Sequence, residues 1–339
     1  MEDSGILFSW NGVSCQCRCD HCLLASGTQP CRVPYADAQG IVERFVQWRS
    51  DSGRTRLAIE FAAGFCVDFP QLQDYIRFRL QNGMQGADSL QVGGIRKRSG
   101  DELRDFLGNL ARAGVRRLGL SFHGTGASHD ACTRRPGDFE FLLDLVRAAT
   151  GCGLKRFETV FLRRSTIKEL PALLALLDGI PGLENRHIGP FDYRGRAKLL
   201  EADRPTVADL EAVPDDARRG ISRASLRTES EWGREIELHG VPARTRRYYL
   251  VPVSDDTAPQ LRTIEPEALL AQMREADLRL ADRVPPLREL ARRYADLTGA
   301  RLYSLRDLEW KWTDAFLAEH PHVDRTGAFD DQKPCILCK

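Results

Sequence analysis

The sequence predicts an α/β fold built on a parallel sheet, with a second region of mixed α and β character behind it. Two observations predict the sheet. Short apolar runs of strand length alternate with stretches whose apolar residues recur at helical spacing, and this strand-then-helix order repeats along the first part of the chain. Strand-helix alternation is the pattern of βα units joined by right-handed crossovers, and strands that are almost wholly apolar suit a sheet covered by helices. A third observation sets the limit: the alternation stops near residue 200, after about six units. That is too few for a closed eight-unit barrel. The expected division is a core over residues 1–200 and an accessory region over 201–339.

The elements follow in order. Ile6 to Trp10 is a short buried strand. Ala36 to Arg49 carries Ile41, Val42, Phe45, Val46 and Trp48 on one helical face. Arg56 to Phe61 is the second strand and Pro70 to Leu80 the second helix, with Leu72, Tyr75, Ile76 and Phe78 on its apolar side. Ser89 to Ile95 and Asp101 to Ala113 form the third pair, Arg116 to Phe122 and Phe139 to Thr150 the fourth, and Lys155 to Leu162 and Ile167 to Leu177 the fifth. Asn185 to Phe191 is the sixth strand. Beyond it, Pro205 to Val213 reads as a short helix. Arg234 to Leu238 and Arg246 to Val253 read as a hairpin around His239-Gly240. Three helical stretches close the chain, Pro266 to Leu280, Pro286 to Leu297 and Leu305 to Glu319, before a tail that ends Cys335-Ile-Leu-Cys338-Lys339.

Composition narrows the function classes. The 339 residues are 42% hydrophobic, enough for a sizeable core, and carry a net charge of +1. A balance that near to zero gives no general electrostatic attraction to nucleic acid or to a membrane surface. The N-terminus lacks the basic start and apolar run of a signal peptide, and no apolar run approaches the ~20 residues of a membrane span. Ten cysteines without a secretory signal point to a reducing cytoplasm and to metal or redox chemistry, not to a disulfide framework.

The cysteines concentrate just after the first strand: Cys15-Gln-Cys17-Arg-Cys19-Asp-His21-Cys22. Cys15, Cys19 and Cys22 are spaced C-x3-C-x2-C on one loop. Thiolates are the usual ligands of iron–sulfur clusters, and three of them leave one iron of a cubane open to substrate or cofactor. The competing reading is a zinc knuckle, which needs a fourth ligand; His21 or Cys31 can supply it. The spacing, the place after the first strand and His21 in the position before the last cysteine resemble the radical S-adenosylmethionine (radical SAM) superfamily. The pattern is most like its peptide- and sulfatase-maturing members, without their seven-cysteine C-terminal extension. The resemblance covers about residues 5–200.

That resemblance implies a partial (β/α)6 TIM-like barrel, a [4Fe-4S] cluster on Cys15, Cys19 and Cys22, and S-adenosyl-L-methionine as cofactor. Cys17 is extra to the family pattern. The family's Gly-Gly-Glu-Pro strand end, which holds the cofactor's amino group, corresponds to Ala63-Gly64-Phe65-Cys66. Ala63 and Gly64 keep the backbone part; the acid is missing, and Glu60 is a carboxylate that can substitute for it. The family's serine and arginine for the cofactor's carboxylate carry over to Ser121 and Arg134, and His123 stands where the family has aspartate. Glu158, Arg163, His187, Asp192 and Tyr193 fall at strand ends that line the mouth of such a barrel. Cys132 and Cys152 read as packing residues.

The chemistry implied is reductive cleavage of S-adenosylmethionine to a 5′-deoxyadenosyl radical, which takes hydrogen from an unactivated C–H bond. The electron would come from a donor such as flavodoxin or ferredoxin. A small-molecule biosynthetic intermediate or a peptide suits the charge balance better than nucleic acid. A redox-neutral outcome, such as epimerisation, elimination or rearrangement, fits a chain without a complete auxiliary four-cysteine site. Cys335 and Cys338 are candidate catalytic thiols: a hydrogen-atom donor, a redox pair, or part of a second metal site. With a second cluster on that pair the chain would be a peptide-modifying oxidoreductase. The remaining alternative is a relative that keeps the fold as a non-catalytic or zinc-binding interaction protein.

Overall fold

In the computed structural model, residues 5–22, 30–64, 66–221, 225–241 and 248–323 are described. The chain forms the expected α/β fold. β1 (Gly5–Trp10) lies between β2 (Ile59–Ala63) and β7 (Tyr248–Val253) and runs parallel to both. β3 (Ser89–Gln91), β4 (Arg117–Phe122), β5 (Lys155–Phe161) and β6 (Leu183–Gly189) form a second parallel sheet in sequence order. Every strand of β1 to β6 except β6 is followed by one or more long helices: α1 (Tyr35–Asp51), α2 (Leu72–Gln81), α3 (Gly100–Arg112), α4 (Gly126–Thr133) with α5 (Asp138–Gly151), and α6 (Leu170–Asp178). A parallel strand cannot be reached by a hairpin, so each return crosses over through a helix.

Local sequence accounts for these elements. α3 buries Leu103, Leu107 and Leu110 on one face, opens with Asp101 and Glu102 and closes with Arg112, so its charges oppose the helix dipole at both ends. On β4, Leu118, Leu120 and Phe122 alternate into the core that the helices cover, which turns Gly119 and Ser121 to the other face. Gly119 leaves room for its neighbours there: a Cβ would lie 1.6 Å from Oε1 of Gln91 and 2.3 Å from the Phe157 ring.

The region after residue 200 departs from expectation in one respect. The hairpin around His239-Gly240 is not formed. Glu229–His239 is instead a helix, α9, reached after the short helices α7 (Val207–Glu211) and α8 (Asp215–Arg218). Thr228 and Glu231 form a reciprocal capping box at the start of α9, and Trp232 and Ile236, one turn apart, are its buried face. Capping and i,i+4 burial outweigh the short alternation that suggested a strand. The following strand, β7, pairs with β1 in parallel across a separation of more than 200 residues. The main core draws on both parts of the chain: Phe8, Phe45, Leu107 and Leu145 pack in the same cluster as Leu210, Val251, Val253 and Leu270. A second core joins α9 to α12 (Leu287–Tyr294) and α13 (Leu305–Glu319) through Trp232, Ile236, Leu290, Tyr303, Trp312 and Phe316. α10 (Ala258–Thr263) and α11 (Pro266–Arg283) lie between. No helix among the described residues is long and apolar enough to cross a membrane.

Candidate active site at the mouth of the barrel

Residues 11–22 leave the C-terminal end of β1, where ligands of parallel α/β sheets bind. Backbone hydrogen bonds fix this loop against its neighbours. Gln16 N donates to Gly94 O (2.8 Å), Arg18 N to Thr133 O (2.9 Å), and Asp20 N to Cys132 O (3.0 Å). The loop is thus seated on the segment after β3 and on the end of α4. Gly94 has φ +70°, and a Cβ there would lie 2.0 Å from Sγ of Cys15. Only glycine leaves room for that thiol.

Cys15, Cys17, Cys19 and Cys22 form no disulfide among the described residues. The structure brings Cys15 and Cys19 together on either side of Cys17. Those two contacts, with the Arg135 guanidinium facing it, pull the Cys17 thiol far below its ordinary range. The contact with Cys17, together with burial, pushes Cys15 and Cys19 the other way. Cys17 Sγ also lies 3.5 Å from Oδ2 of Asp138, a carboxylate that accepts from Arg135 Nη1 (3.1 Å) and is 3.3 Å from His129 Nε2. His129 Nδ1 accepts from the backbone N–H of His123, so its Nε2 carries the proton that faces Asp138. Cys22 closes the loop, its N–H donating to Cys19 O and its carbonyl accepting from Arg196 N.

Ala63 and Gly64 sit beside this loop, at the end of β2. Gly64 N donates to Trp10 O (2.8 Å), and Ala63 N to Oη of Tyr75 (3.1 Å). The side chain of Asn11 covers Gly64: a Cβ at residue 64 would lie 1.8 Å from Asn11 Oδ1. That oxygen is buried and has no hydrogen-bond partner among the described residues. A buried acceptor with no donor is unusual in a folded chain, and this one lies at the strand end expected to receive an ammonium group. Glu60 does not serve there. It is buried, and its carboxylate accepts from the backbone N–H of Gln85, in the segment leading into β3, at the opposite end of the sheet.

Ser121 is half-buried on β4. Arg134, the C-cap of α4 with φ 52°, donates from Nε to Oδ1 of Asp20 (2.8 Å), which ties it to the cysteine loop. Among the other strand-end candidates, Glu158 is fully committed: Arg156 Nε and Arg186 Nε donate to its two oxygens at 2.5 and 2.6 Å. Arg163 donates to Asp203 (2.6 Å), His187 is exposed, and Tyr193 is drawn toward Asp307 and Glu201 of the C-terminal part. Cys335 and Cys338 lie outside the described residues.

His21 packs among aromatic rings. Its ring stacks on Phe191 at 4.3 Å and lies 4.5 Å from the ring of His123, which in turn stacks on Phe161. Burial, with Arg163 nearby, pushes His21 down to about 3 and His123 well below its ordinary value, so both imidazoles are neutral. The sequence reading missed α4 altogether, leaving Gly126–Thr133 as loop, and with it the convergence of His123, His129 and Cys132. The two histidines six apart in Phe122-His123-Gly-Thr-Gly-Ala-Ser-His129 were the available signal.

A surface depression of 710 Å³, lined in part by Leu80, Met84, Val115, Arg116 and Leu154, lies among segments that lead into β3, β4 and β5. It is at the wrong end of the strands for a barrel active site.

No protein-family model matches the sequence, and no curated protein matches it. Solved structures do. The chain is similar to SuiB of Streptococcus suis bound to its precursor peptide SuiA, at 12% identity and a TM-score of 0.50, over 74% of this chain and 58% of SuiB. It also matches coproporphyrinogen III oxidase (HemN) of Escherichia coli, a radical SAM enzyme, at 15% identity and a TM-score of 0.38, over 67% and 50% of the two chains. A third match is anSMEcpe with bound AdoMet and the Cp18Cys peptide, at 10% identity and a TM-score of 0.42, over 93% and 97%. The likeness to SuiB shows the fold alone: the two chains share an α/β architecture. The matched part spans a little over half the length of SuiB.

Proposed function

We propose that the chain is a radical SAM enzyme, with Cys15, Cys19 and Cys22 as ligands of a [4Fe-4S] cluster and S-adenosylmethionine bound beside it. The observation that carries this reading is the mouth of the barrel: a loop of cysteines outside any disulfide after β1, a glycine cleared for Cys15, and an orphaned carbonyl oxygen on Asn11 over Gly64. Soft thiolates are the donor set that iron–sulfur clusters take. When bound, the cluster and cofactor supply a 5′-deoxyadenosyl radical for hydrogen abstraction.

The chain's own residues do the rest. Asn11 Oδ1 accepts from the cofactor's ammonium in place of the family's missing acid, while Ala63 and Gly64 keep the strand end narrow. Ser121 and Arg134 flank the place for the carboxylate; Arg134 is preset by Asp20, and its guanidinium fork suits a bidentate partner. Phe161 and Phe191 supply an apolar wall beside the reacting centre. Cys17, between Cys15 and Cys19 and facing Arg135 and Asp138, ties the loop to the start of α5.

The substrate is a peptide or a small biosynthetic molecule. Support for a peptide comes from the precursor peptide bound by SuiB, a protein of the same fold. The electron donor is of flavodoxin or ferredoxin type. The transformation is redox-neutral, with Cys335 or Cys338 as hydrogen-atom donor; replacing either should leave cofactor cleavage intact while product formation stops.

The test is anaerobic reconstitution with iron and sulfide, followed by dithionite and S-adenosylmethionine, with 5′-deoxyadenosine read by mass spectrometry. The wild type should release it, and Cys19→Ala should lose both the brown chromophore and the product. A fully loaded wild-type protein that neither binds nor cleaves the cofactor would overturn the proposal in favour of a non-catalytic relative.

A further inference from the structure

Three side chains beside the proposed cluster loop are not used by the reading above. His21 reaches inward from the loop, His123 stands at the end of β4, and Cys132 lies on α4. One ligand atom from each lies within 4.8 Å of the others. We propose that His21, His123 and Cys132 form a separate mononuclear site for a zinc-type divalent ion, with a fourth position left for water or for a donor atom of the substrate.

One edge of the triad already has the length this ion needs, and the edges to His123, at up to 4.8 Å, must draw in as the ion binds. Zinc binds imidazole nitrogen at about 2.0–2.1 Å and thiolate sulfur at about 2.3 Å, in tetrahedral sites. With those bond lengths the nitrogen–sulfur edge of the tetrahedron is about 3.6 Å. Nδ1 of His21 and Sγ of Cys132 are 3.7 Å apart. The donor set, two imidazoles and one thiolate, is of the mixed nitrogen–sulfur kind that catalytic zinc sites use with one position open.

A second observation points to a ligand. Nδ1 of His123 is buried without a hydrogen-bond partner among the described residues, and the residue is 2% exposed. A buried ring nitrogen left unpaired is costly, and such groups in native structures call for an explanation. The surroundings hold the donors in place. Phe191 stacks on His21 and Phe161 on His123, while His129 accepts from the backbone N–H of His123. Such outer contacts orient metal ligands. Cys132 is 1% exposed, and the carbonyl of the same residue accepts from Asp20 N, which locks the loop carrying His21 to the helix carrying the thiol. Arg163, the cation beside Cys132, is tied to Asp203 by a 2.6 Å hydrogen bond. Its charge is thereby balanced and does not repel a metal ion outright.

The site owes nothing to Cys15, Cys19 or Cys22, so it stands or falls apart from the radical chemistry. The experiment is an anaerobic titration of cobalt(II) into the chelator-treated full-length chain, with Cys19→Ser and Cys132→Ser beside the wild type. The expected result is one equivalent of cobalt with tetrahedral visible absorption and a sulfur-to-cobalt charge-transfer band. Both should persist in Cys19→Ser and be lost from Cys132→Ser. Equal binding by Cys132→Ser and wild type would overturn the assignment. Because Cys132 is buried and its replacement can unfold α4, zinc X-ray absorption of Cys19→Ser at one equivalent gives a reading with Cys132 intact. Two imidazole nitrogens and a single sulfur in the first shell support the site; two or more sulfurs, or no retained zinc, refute it.

Discussion

Under α13 the ammonium of Lys311 is surrounded by oxygens: it donates to Oε1 of Glu229 at 2.7 Å, to Oη of Tyr303 at 3.1 Å, and to Glu201. Glu229 in turn accepts from Trp312 Nε1 at 2.8 Å and from the backbone N–H of Asp296. At the mouth of the barrel, Asn11 Oδ1 and His123 Nδ1 are just as hidden from water and have no partner among the described residues. The two regions face the same desolvation cost. One meets it within the fold, by joining α9 to α13. The other leaves it unmet, as expected where a ligand completes the set. Paired buried charge therefore marks architecture in this molecule. Unpaired buried polarity also occurs elsewhere, at Nε of Arg79 and of Arg117, so at the mouth of the barrel it is its place beside the cysteine loop that points to a ligand. Arg156, Glu158 and Arg186 show that this is not simply a contrast between barrel and helices: their buried charges lie within the barrel and are paired.

The largest expected effect is on stability. Glu229→Ala removes the partner of Trp312 and one of the oxygens around Lys311, leaving a buried donor and a half-buried cation short of acceptors. Breaking such a pair costs about 3 kcal/mol, read as a lower denaturant midpoint at unchanged slope. Cluster reconstitution in the folded variant should be unaffected. A loss of stability below ~1 kcal/mol would place this network with ordinary surface pairs and break the comparison.

Asn11→Ala sharpens the contrast from the other side. Removing an acceptor that no protein donor uses should change stability by less than ~0.5 kcal/mol. It should weaken cofactor binding by about tenfold or more, the worth of one hydrogen bond to a charged group. Titration of S-adenosylmethionine into cluster-loaded protein, beside a denaturation curve, reads both. A destabilised variant with unaltered cofactor affinity would return Asn11 to the architecture.

The difference between these regions also explains what could be read from the sequence. The βα alternation was legible because hydrophobic period is local: β1 to β6 and their long helices fall near the expected ranges. The cysteine loop was legible because all its thiols lie within eight residues. α9 was not, since Ile236 and Leu238 alternate like a strand while the capping box that starts the helix lies well before them, at Thr228. The parallel pairing of β7 with β1 was hidden for a different reason: nothing local in Tyr248–Val253 names a partner more than 200 residues away. The same holds at the site. Asn11 was in view beside the cysteines, but its closeness to Gly64 depends on β1–β2 register. Cys132 read as packing until α4 turned it toward His21.

The smallest expected effect concerns pH and tests whether the Lys311 network behaves as a paired charge cluster. Burial alone would raise the Glu201 carboxyl, but the hydrogen bonds from Lys311 and Tyr303 outweigh it and hold it below its ordinary value. A carboxylate with a folded-state value below its unfolded one stabilises the fold above the ordinary glutamate range. That stabilisation is lost as the pH falls below about 4.3 and through the folded value. Wild type and Glu201→Gln should therefore differ by up to ~1 kcal/mol at neutral pH and converge as acid protonates Glu201. Denaturant midpoints measured at several pH values give the curve directly. A difference that stays constant down to acid pH would mean that Glu201 acts through shape and neutral hydrogen bonds, and that charge is not what closes the space between α9 and α13.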